Sequence, residues 1–521
     1  MILIDYFEKT ARDRPDKEFL HFVAAEAADD EHITYGEAER RASRISRALA
    51  NLGVRKGDTV SMLLPNSPIW LLIYLANQKL GAVTGTLDPD HTPKELEYNV
   101  AHSQARILMV DRKHLEKARA IRGQCPKLET VVLVDDDAPD CVSLSAALEL
   151  LADTPAARDP AISPDDTLYI MFTSGTTSGV PKGVLHPQRS LIHGIGPYRE
   201  LVPILPDDRL MLVTPLFHAC SMYWGVTLTI LAGASLVLAE RFSGTRFWEQ
   251  ARRGDVSVVW TMGTVGAILL QLPPSEAEHA ACKRVRTFFG VGIGAREKEA
   301  RTRWGCTIVD GFGMTETAGT VTDADSFDNA EPFPCVGKPV PGIDLRLMDP
   351  ETGKFCGPRQ YGEIVVKFGQ GFSGYFNNPE AEAASIRDGW FHTGDLAYRD
   401  ERGQYYFVDR LKDIVRRGGE NISAREVEQV LLGYPKVKEA VVVPAPHPIY
   451  GEVVMAFLVP QDPSHVFTLD EIRAHCADRL AAFKLPAHVR TVRSEDLPRT
   501  PTGKVQKFKL RPKQSLPDAP S

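Results

Sequence analysis

No two of the eight cysteines, at 125, 141, 220, 282, 306, 335, 356 and 476, stand in a Cys-x-x-Cys spacing. Thiols scattered in this way argue against a zinc knuckle or a disulfide framework and fit a reducing, cytoplasmic setting. A basic excess is missing too. The net charge is −7 and the pI about 6.1, which leaves no electrostatic footprint for nucleic acid or an anionic bilayer. The chain has no internal repeat and no low-complexity tract. Its N-terminus, MILIDYFEKTARDRPDKE, turns charged at once and lacks the apolar region of a secretory signal. One stretch without formal charge, Leu210 to Ala239, has the length of a membrane span, but Pro215, His218, Gly225 and Gly233 interrupt it. It divides into strand, helix and strand, so no stable membrane insertion is expected.

What is present is the composition of a globular protein, with 43% hydrophobic and 25% charged residues. At 521 residues the chain exceeds a single ordinary core, and two to four structural units are expected. The first 160 residues alternate between helical and strand patterns. Thr34 and Glu37 form a capping box ahead of Ala38, Ala42, Ile45, Leu49 and Leu52, which share one helical face, and Gly53 is a natural stop. Ser67-Pro68 opens a second helix that runs to Leu80-Gly81. Short apolar strands, Thr59 to Leu64 and Ile107 to Val110, fit between such helices. The rhythm predicts a layered α/β domain with mainly parallel strands. Pro155 to Asp166, rich in Pro, Ala and Asp, reads as a surface connection.

That connection leads, through the apolar run Leu168-Tyr169-Ile170-Met171-Phe172, into TSGTTSGVPKGV at Thr173 to Val184. Hydroxyls at Thr173, Ser174, Thr176, Thr177 and Ser178, glycines at 175, 179 and 183, and Lys182 leave almost nothing to bury. Such a stretch can wrap an anion: glycines bring backbone N–H groups close, hydroxyls add donors, and Lys182 adds charge. A Ser/Gly linker is the bland alternative, but linkers seldom follow a buried strand directly or carry a Pro-Lys-Gly. The common nucleotide loop needs Gly-Lys-Ser/Thr, whereas Lys182 stands between Pro181 and Gly183. The loop is a phosphate cradle of another kind.

These residues resemble the signature loop of the acyl-adenylate-forming enzymes, which include acyl-CoA synthetases, peptide-synthetase adenylation domains and beetle luciferases. The loop here is one residue longer, at Ser178. Further motifs of that family follow in order. Pro215-Leu216-Phe217-His218 resembles the segment that lines and gates the acyl pocket, which implies a pocket role for His218. Phe289 to Ala295, with Gly290, Gly292 and Gly294, is similar to the glycine-rich turn under the adenine and the acyl group. Asp310-Gly311-Phe312-Gly313-Met314-Thr315-Glu316 resembles the family's Tyr-Gly-Met-Thr-Glu segment, with Phe312 in place of Tyr. By that likeness Phe312 stacks on a purine, Thr315 reaches the α-phosphate and Glu316 holds Mg²⁺, as a hard cation prefers carboxylate oxygen. Asp388-Gly389-Trp390-Phe391-His392-Thr393-Gly394-Asp395 implies a ribose contact by Asp395, shared with Arg410 in the run from Phe407 to Asp413. Without the resemblance, Asp-Arg-Leu-Lys-Asp would be read as a solvated face, and His218 as a packed core histidine.

The same likeness implies a fold: a large layered N-terminal domain, residues 1–411, of two α/β subdomains plus a small β-barrel subdomain. A small, mobile α+β domain, residues 412–521, follows, with its hinge at Lys412. Arg416, Gly418 and Gly419 match the loop on the coenzyme A side. Lys504, in Pro498-Arg499-Thr500-Pro501-Thr502-Gly503-Lys504, matches the lysine that bridges the substrate carboxylate and the α-phosphate. Seventeen residues follow Lys504, too few for a carrier-protein domain, so a free thiol is expected as acceptor. The implied partners are ATP, Mg²⁺, coenzyme A and a small carboxylic acid, with the chain a monomer or homodimer. Peptide-synthetase relatives hold the substrate's α-amine with an aspartate, but no carboxylate lies between Phe217 and Ala239, which argues against an amino acid. Phe-Val-Asp-Arg ahead of Arg-Gly-Gly-Glu-Asn is most similar to the carnitine/crotonobetaine-type and medium-chain acyl-CoA ligases. Aryl-acid ligases and nitrite-activating aryl-amine diazotases share these motifs and stay open as alternatives. Tyr223 and Trp224 suggest a pocket closed for a short or aromatic acid. A non-catalytic binding protein is disfavoured, because Lys182, Glu316, Asp395, Arg410 and Lys504 are all present.

Overall fold

The computed structural model describes residues 1–149, 151–173, 181–292, 296–317, 321–323, 335–367, 372–418, 420–499 and 505–514. In its first half, apolar residues on both faces of the strands are buried. On Ala105–Val110, Ile107 and Met109 join one core while Leu108 and Val110 join another. Leu210, Leu212, Leu236 and Leu238 likewise face the first core, and Met211, Val237 and Ala239 a third. Strands covered on both faces read as near-continuous apolar runs and need helices on each side, as in parallel α/β architecture.

Two such sheets form. The first has seven strands in the order Val142–Ser143, Thr130–Leu133, Ala105–Val110, Thr59–Leu63, Val83–Thr86, Thr167–Phe172 and Gly183–Pro187. Every pairing in it is parallel except the last. The second sheet runs Glu31–Thr34, Glu18–Val23, Ser235–Ala239, Arg209–Leu212, Val258–Met262, Thr287–Val291 and Thr307–Phe312, and is parallel after its first strand. Beyond Thr307–Phe312, Val321–Asp323 and Cys335–Pro339 pair antiparallel. They lead into a small antiparallel sheet of Tyr405–Arg410, Trp390–Arg399, Gly362–Lys367 and Asp344–Met348. This is the mixed α/β fold expected, with the small antiparallel sheet in the place foreseen for a barrel.

The helices between the sheets follow local signals. In Tyr35–Asn51 the Thr34 hydroxyl accepts the Glu37 N–H at 3.1 Å, Ala38, Ala42, Ile45 and Leu49 are buried, and Gly53 adopts φ +89°. Pro68–Leu80 ends on Gly81 in the left-handed conformation and is buried almost all round, as suits a helix between two sheets. One core includes Trp70 and Tyr74 of that helix, Tyr169 of the first sheet and Trp260 of the second. Leu210 to Ala239 resolves into strand, helical turns and strand, and no described helix is long and apolar enough to cross a membrane.

The last hundred residues form a separate sheet of Glu420–Ile422, Val415–Arg417, Gly451–Pro460, Val437–His447 and His488–Thr491, covered by Ala424–Leu432 and Leu469–Cys476. Lys412 lies in the single helical turn Leu411–Asp413 between this sheet and Tyr405–Arg410. Asp409 joins the units: its Oδ2 accepts from the Ser423 hydroxyl at 3.0 Å and from the Arg425 N–H at 2.9 Å.

A buried cation holds the first domain together. Lys79 Nζ, on the central helix, lies 2.5 Å from Glu8, 2.8 Å from Glu39 and 2.7 Å from the Ala156 carbonyl, which it donates to. Its side chain is 1% exposed, so the charge is sustained by these partners alone. Lys79→Ala should therefore lower stability by about 3–5 kcal/mol, the usual result of orphaning one side of a buried pair, seen as a lower urea midpoint. Lys79→Met combined with Glu39→Gln and Glu8→Gln should regain most of that loss, since neither carboxylate is then left unpaired.

Candidate active site

The loop after Phe172 is clamped at its base. Strands Thr167–Phe172 and Gly183–Pro187 pair antiparallel up to Phe172 and Gly183. Thr173 and Lys182 continue the clamp: the Thr173 N–H donates to the Lys182 carbonyl at 3.0 Å, and the Lys182 N–H to the Thr173 hydroxyl at 3.3 Å. Ser174, Gly175, Thr176, Thr177 and Gly179, expected to wrap phosphate, lie outside the described residues. Lys182 Nζ rests 4.7 Å above the centre of the Tyr375 ring.

The second sheet presents its C-terminal strand ends here. Gly290 admits no side chain, because a Cβ there would meet the Thr261 carbonyl of the neighbouring strand at 1.8 Å. Gly292 turns at φ +77°, and its N–H donates to Asp310 Oδ1 at 2.7 Å; the same oxygen accepts the Gly311 N–H at 2.8 Å. Asp310 thus ties the glycine turn to the next strand. Gly290 serves close backbone approach, whereas Gly292 serves a left-handed turn with open space around it. Gly311 and Phe312 are buried, Gly313, Met314 and Thr315 are half-buried, and Glu316 is buried again. The Phe312 ring lies 6.1 Å from that of Phe407, near parallel.

Asp395 sits directly across the antiparallel ladder from Arg410, and the two side chains pair at 2.6 Å. Asp395 is fully buried, while Arg410 is partly open. Gly394, at φ +71°, lets the strand turn just before it, and the Gly394 N–H donates to Glu363 at 2.8 Å. Glu363 also holds His392 Nδ1 at 2.7 Å, so the segment from His392 to Asp395 is braced from the adjoining strand.

Glu316 brings these pieces into one electrostatic field. Its carboxylate accepts the Tyr375 hydroxyl at 2.8 Å. Burial pushes the Glu316 carboxyl above its usual range, opposed by its own backbone N–H, the Tyr375 hydroxyl, and the charges of Arg410 and Lys182. Three chain-distant segments thus converge on one carboxylate. Cations, hydroxyls and turned-in N–H groups around a buried acid suit a polyphosphate, and Glu316 keeps a second oxygen with which to hold a divalent cation.

The other expected residues stand on other segments of the chain. His218 is half-buried at the start of the wide helical turn Ser221–Thr227, where its Nδ1 accepts the Cys220 N–H at 3.4 Å. Within that turn Tyr223 and Trp224 are buried, Tyr223 edge-on to His186 at 5.1 Å and Trp224 stacked on Trp260 at 5.9 Å. Arg416 and Gly418 lie in the 415–422 hairpin. Their described contacts run to Glu452 and Tyr450, not to Lys182, Glu316 or Asp395. Gly419 and Lys504 lie outside the described residues. Two residues at the site escaped the sequence reading. Tyr375 stands in Ser-Gly-Tyr-Phe-Asn-Asn-Pro-Glu, which on its own signals only a turn before the helix capped by Asn378. His186 faces the interior from the strand just past Lys182, and nothing in its neighbours marks it.

The family model "AMP-binding enzyme" matches residues 7–376, and "AMP-binding enzyme C-terminal domain" matches residues 426–504. A crotonobetaine/carnitine–CoA ligase of Salmonella arizonae is 31% identical over 508 residues, covering 95% of this chain and 96% of its own. A feruloyl-CoA synthase of an Amycolatopsis species is 33% identical over 482 residues, covering 92% and 93%. Among solved structures, ATP-bound MatB from Rhodopseudomonas palustris superposes with a TM-score of 0.85 at 28% identity, covering 98% of each chain.

Burial of His186 carries a pH dependence. It holds the imidazole down at about 3, against an ordinary 6.5. Below pH 6.5 the unfolded chain binds a proton that the folded chain refuses, so stability falls as the pH drops from 6.5 toward 3, by about 1.4 kcal/mol per unit. His186→Leu should flatten the fall in urea midpoint between pH 6.5 and 5 by about one proton's worth, relative to wild type.

Proposed function

We propose that this chain, which belongs to the AMP-binding enzyme family and is an AMP-forming acid–CoA ligase, activates a short or aromatic carboxylic acid. The observation that carries the reading is the convergence of Lys182, Arg410 and the Tyr375 hydroxyl on the buried Glu316 carboxylate. In the first step an oxygen of the substrate carboxylate attacks the α-phosphorus of ATP. The bond from that phosphorus to the bridging oxygen breaks, and pyrophosphate leaves with the electron pair. Both reactants are anions, so the chain's contribution is positioning and charge neutralisation. Lys182 supplies a fixed positive charge at the mouth of the loop, and Thr315 offers a hydroxyl to the α-phosphate. Asp395, partnered by Arg410, takes the ribose hydroxyls, one to each carboxylate oxygen. Glu316 would hold Mg²⁺, which would supply charge to offset that of the phosphates. Lys504 bridges the two anions as they approach.

In the second step the coenzyme A thiol sulfur attacks the acyl carbon, the thiol proton is lost and AMP departs, leaving a thioester. The C-terminal unit turns about Lys412 between the steps, withdrawing Lys504 and presenting Arg416, Gly418 and Gly419. A turn of this kind needs an interface that can part, and the few polar contacts of Asp409 with Ser423 and Arg425 are of that sort. The short or aromatic acid is supported by the buried bulk of Tyr223 and Trp224 in the Ser221–Thr227 turn, with Trp260 stacked on Trp224.

Pyrophosphate release should respond to short and aryl acids in a panel that also includes long-chain acids and nitrite, each with and without coenzyme A. A response confined to long-chain acids would refute the substrate class, and one to nitrite alone would favour the diazotase alternative. Lys504→Ala should abolish acyl-AMP formation yet still convert supplied acyl-AMP to thioester. Lys412→Pro should show the opposite pattern, and equal loss of both half-reactions in either variant would refute the division of labour.

A further inference from the structure

A single uncharged side chain touches both charged groups of the phosphate site. The Tyr375 hydroxyl donates to Glu316 at 2.8 Å, and its ring carries the Lys182 ammonium at 4.7 Å on its face. Tyr375 and Glu316 are each about 5% exposed, so neither can exchange its partner for bulk water. The backbone around Tyr375 is docked as firmly as its side chain. Tyr375 bridges Val184, the Ser373 N–H donates to the Leu185 carbonyl at 3.1 Å, and the Leu185 N–H to the Gly374 carbonyl at 3.0 Å. The Phe376 N–H completes the set, donating to the Gly183 carbonyl at 2.7 Å. The segment is therefore an added edge on the strand that begins one residue after Lys182. Gly374 suits the turn into this edge: it sits at φ +110°, a conformation that side-chain-bearing residues rarely adopt. Phe372 and Phe391 close the ring's other sides.

We propose that Tyr375 is the positioning residue of the phosphate site. Its hydroxyl orients the Glu316 carboxylate toward a divalent cation, and its ring seats Lys182 toward the anion. The proposal rests on the family reading above. A tyrosine kept only for packing has no need of an ionised acceptor, and a carboxylate meant only to pair with a cation gains nothing from a neutral donor on one oxygen. Occupying one oxygen leaves the other as the site for a hard cation and limits the carboxylate to one rotamer. Aromatic faces attract ammonium groups through the ring quadrupole, so the same ring holds the lysine without neutralising it.

The two contacts can be separated in the full-length protein. Tyr375→Phe keeps the ring beneath Lys182 and removes only the hydroxyl, whereas Tyr375→Leu removes both. Calorimetric titration with ATP in EDTA and with MgATP reads binding apart from turnover, and a magnesium titration of ATP–pyrophosphate exchange reads the metal requirement. Tyr375→Phe should bind metal-free ATP as wild type does, but require roughly tenfold more Mg²⁺ for half-maximal exchange, as expected for losing a hydrogen bond to a charged group. Tyr375→Leu should weaken both forms of ATP. An unchanged magnesium requirement in Tyr375→Phe would overturn the proposal. So would a parallel loss of both forms together with a lowered Tm, which would mark a purely structural role. Wild-type protein that binds neither form of ATP would instead overturn the family reading, and this proposal with it.

Discussion

A carboxylate buried as deeply as that of Glu316 persists only while donors and opposite charges surround it, and much of this molecule is arranged around that requirement. The partners come from places far apart in the chain: Lys182 from the end of a loop, Tyr375 from a segment docked on the following strand, Arg410 from the small antiparallel sheet. None of them could reach Glu316 through local structure. The two parallel sheets and the small sheet must be assembled first, and the site is a consequence of that assembly. The field that tolerates the carboxylate is also one that would accept a polyphosphate and a divalent cation, so the stability of the site and its chemistry share one cause.

The scaffold meets the requirement by placing loops at strand ends. Residues with the anion-handling pattern sit where a buried strand stops, and the strand itself is locked by cover on both faces. The antiparallel return from Phe172 to Gly183 is an exception among the otherwise parallel neighbours, and it allows the connection to be clamped at its base by Thr173 and Lys182. On the second sheet, Gly290 lets neighbouring backbones approach, and Gly292, at φ +77°, makes the turn that Asp310 holds in place. Precision at the site thus comes from backbone contacts, which tolerate little substitution, more than from side-chain packing.

The C-terminal unit is joined differently. Its own sheet and helices bury a separate core, and among the described residues it meets the larger domain through hydrogen bonds of Ser423 and Arg425 to Asp409 and through the Arg425 guanidinium over the Phe407 ring. An interface of such polar contacts can be remade in a second arrangement at smaller free-energy cost than one of buried apolar surface. That property is what a reaction in two half-steps on one nucleotide site calls for.

Local signals in the sequence foresaw much of this. The Thr34–Glu37 cap, the Ser67-Pro68 to Gly81 helix and the apolar strands at 59–63 and 105–110 stand within a residue or two of where they were expected, because each depends on neighbours along the chain. The loop ending in Lys182 read as an anion cradle from its residue types, whereas Glu316, Asp395 and Arg410 were singled out through the family resemblance, since alone they read as solvated acids and a solvated face. Other features came only with the tertiary structure: Tyr375 as the shared contact of Lys182 and Glu316, the Lys79 ion pairs, and the close packing behind Gly290. A tyrosine, a helix lysine or a strand glycine looks the same in sequence whatever it touches. What each one does was decided by partners tens to hundreds of residues away, through burial that exists only once the sheets have closed on one another.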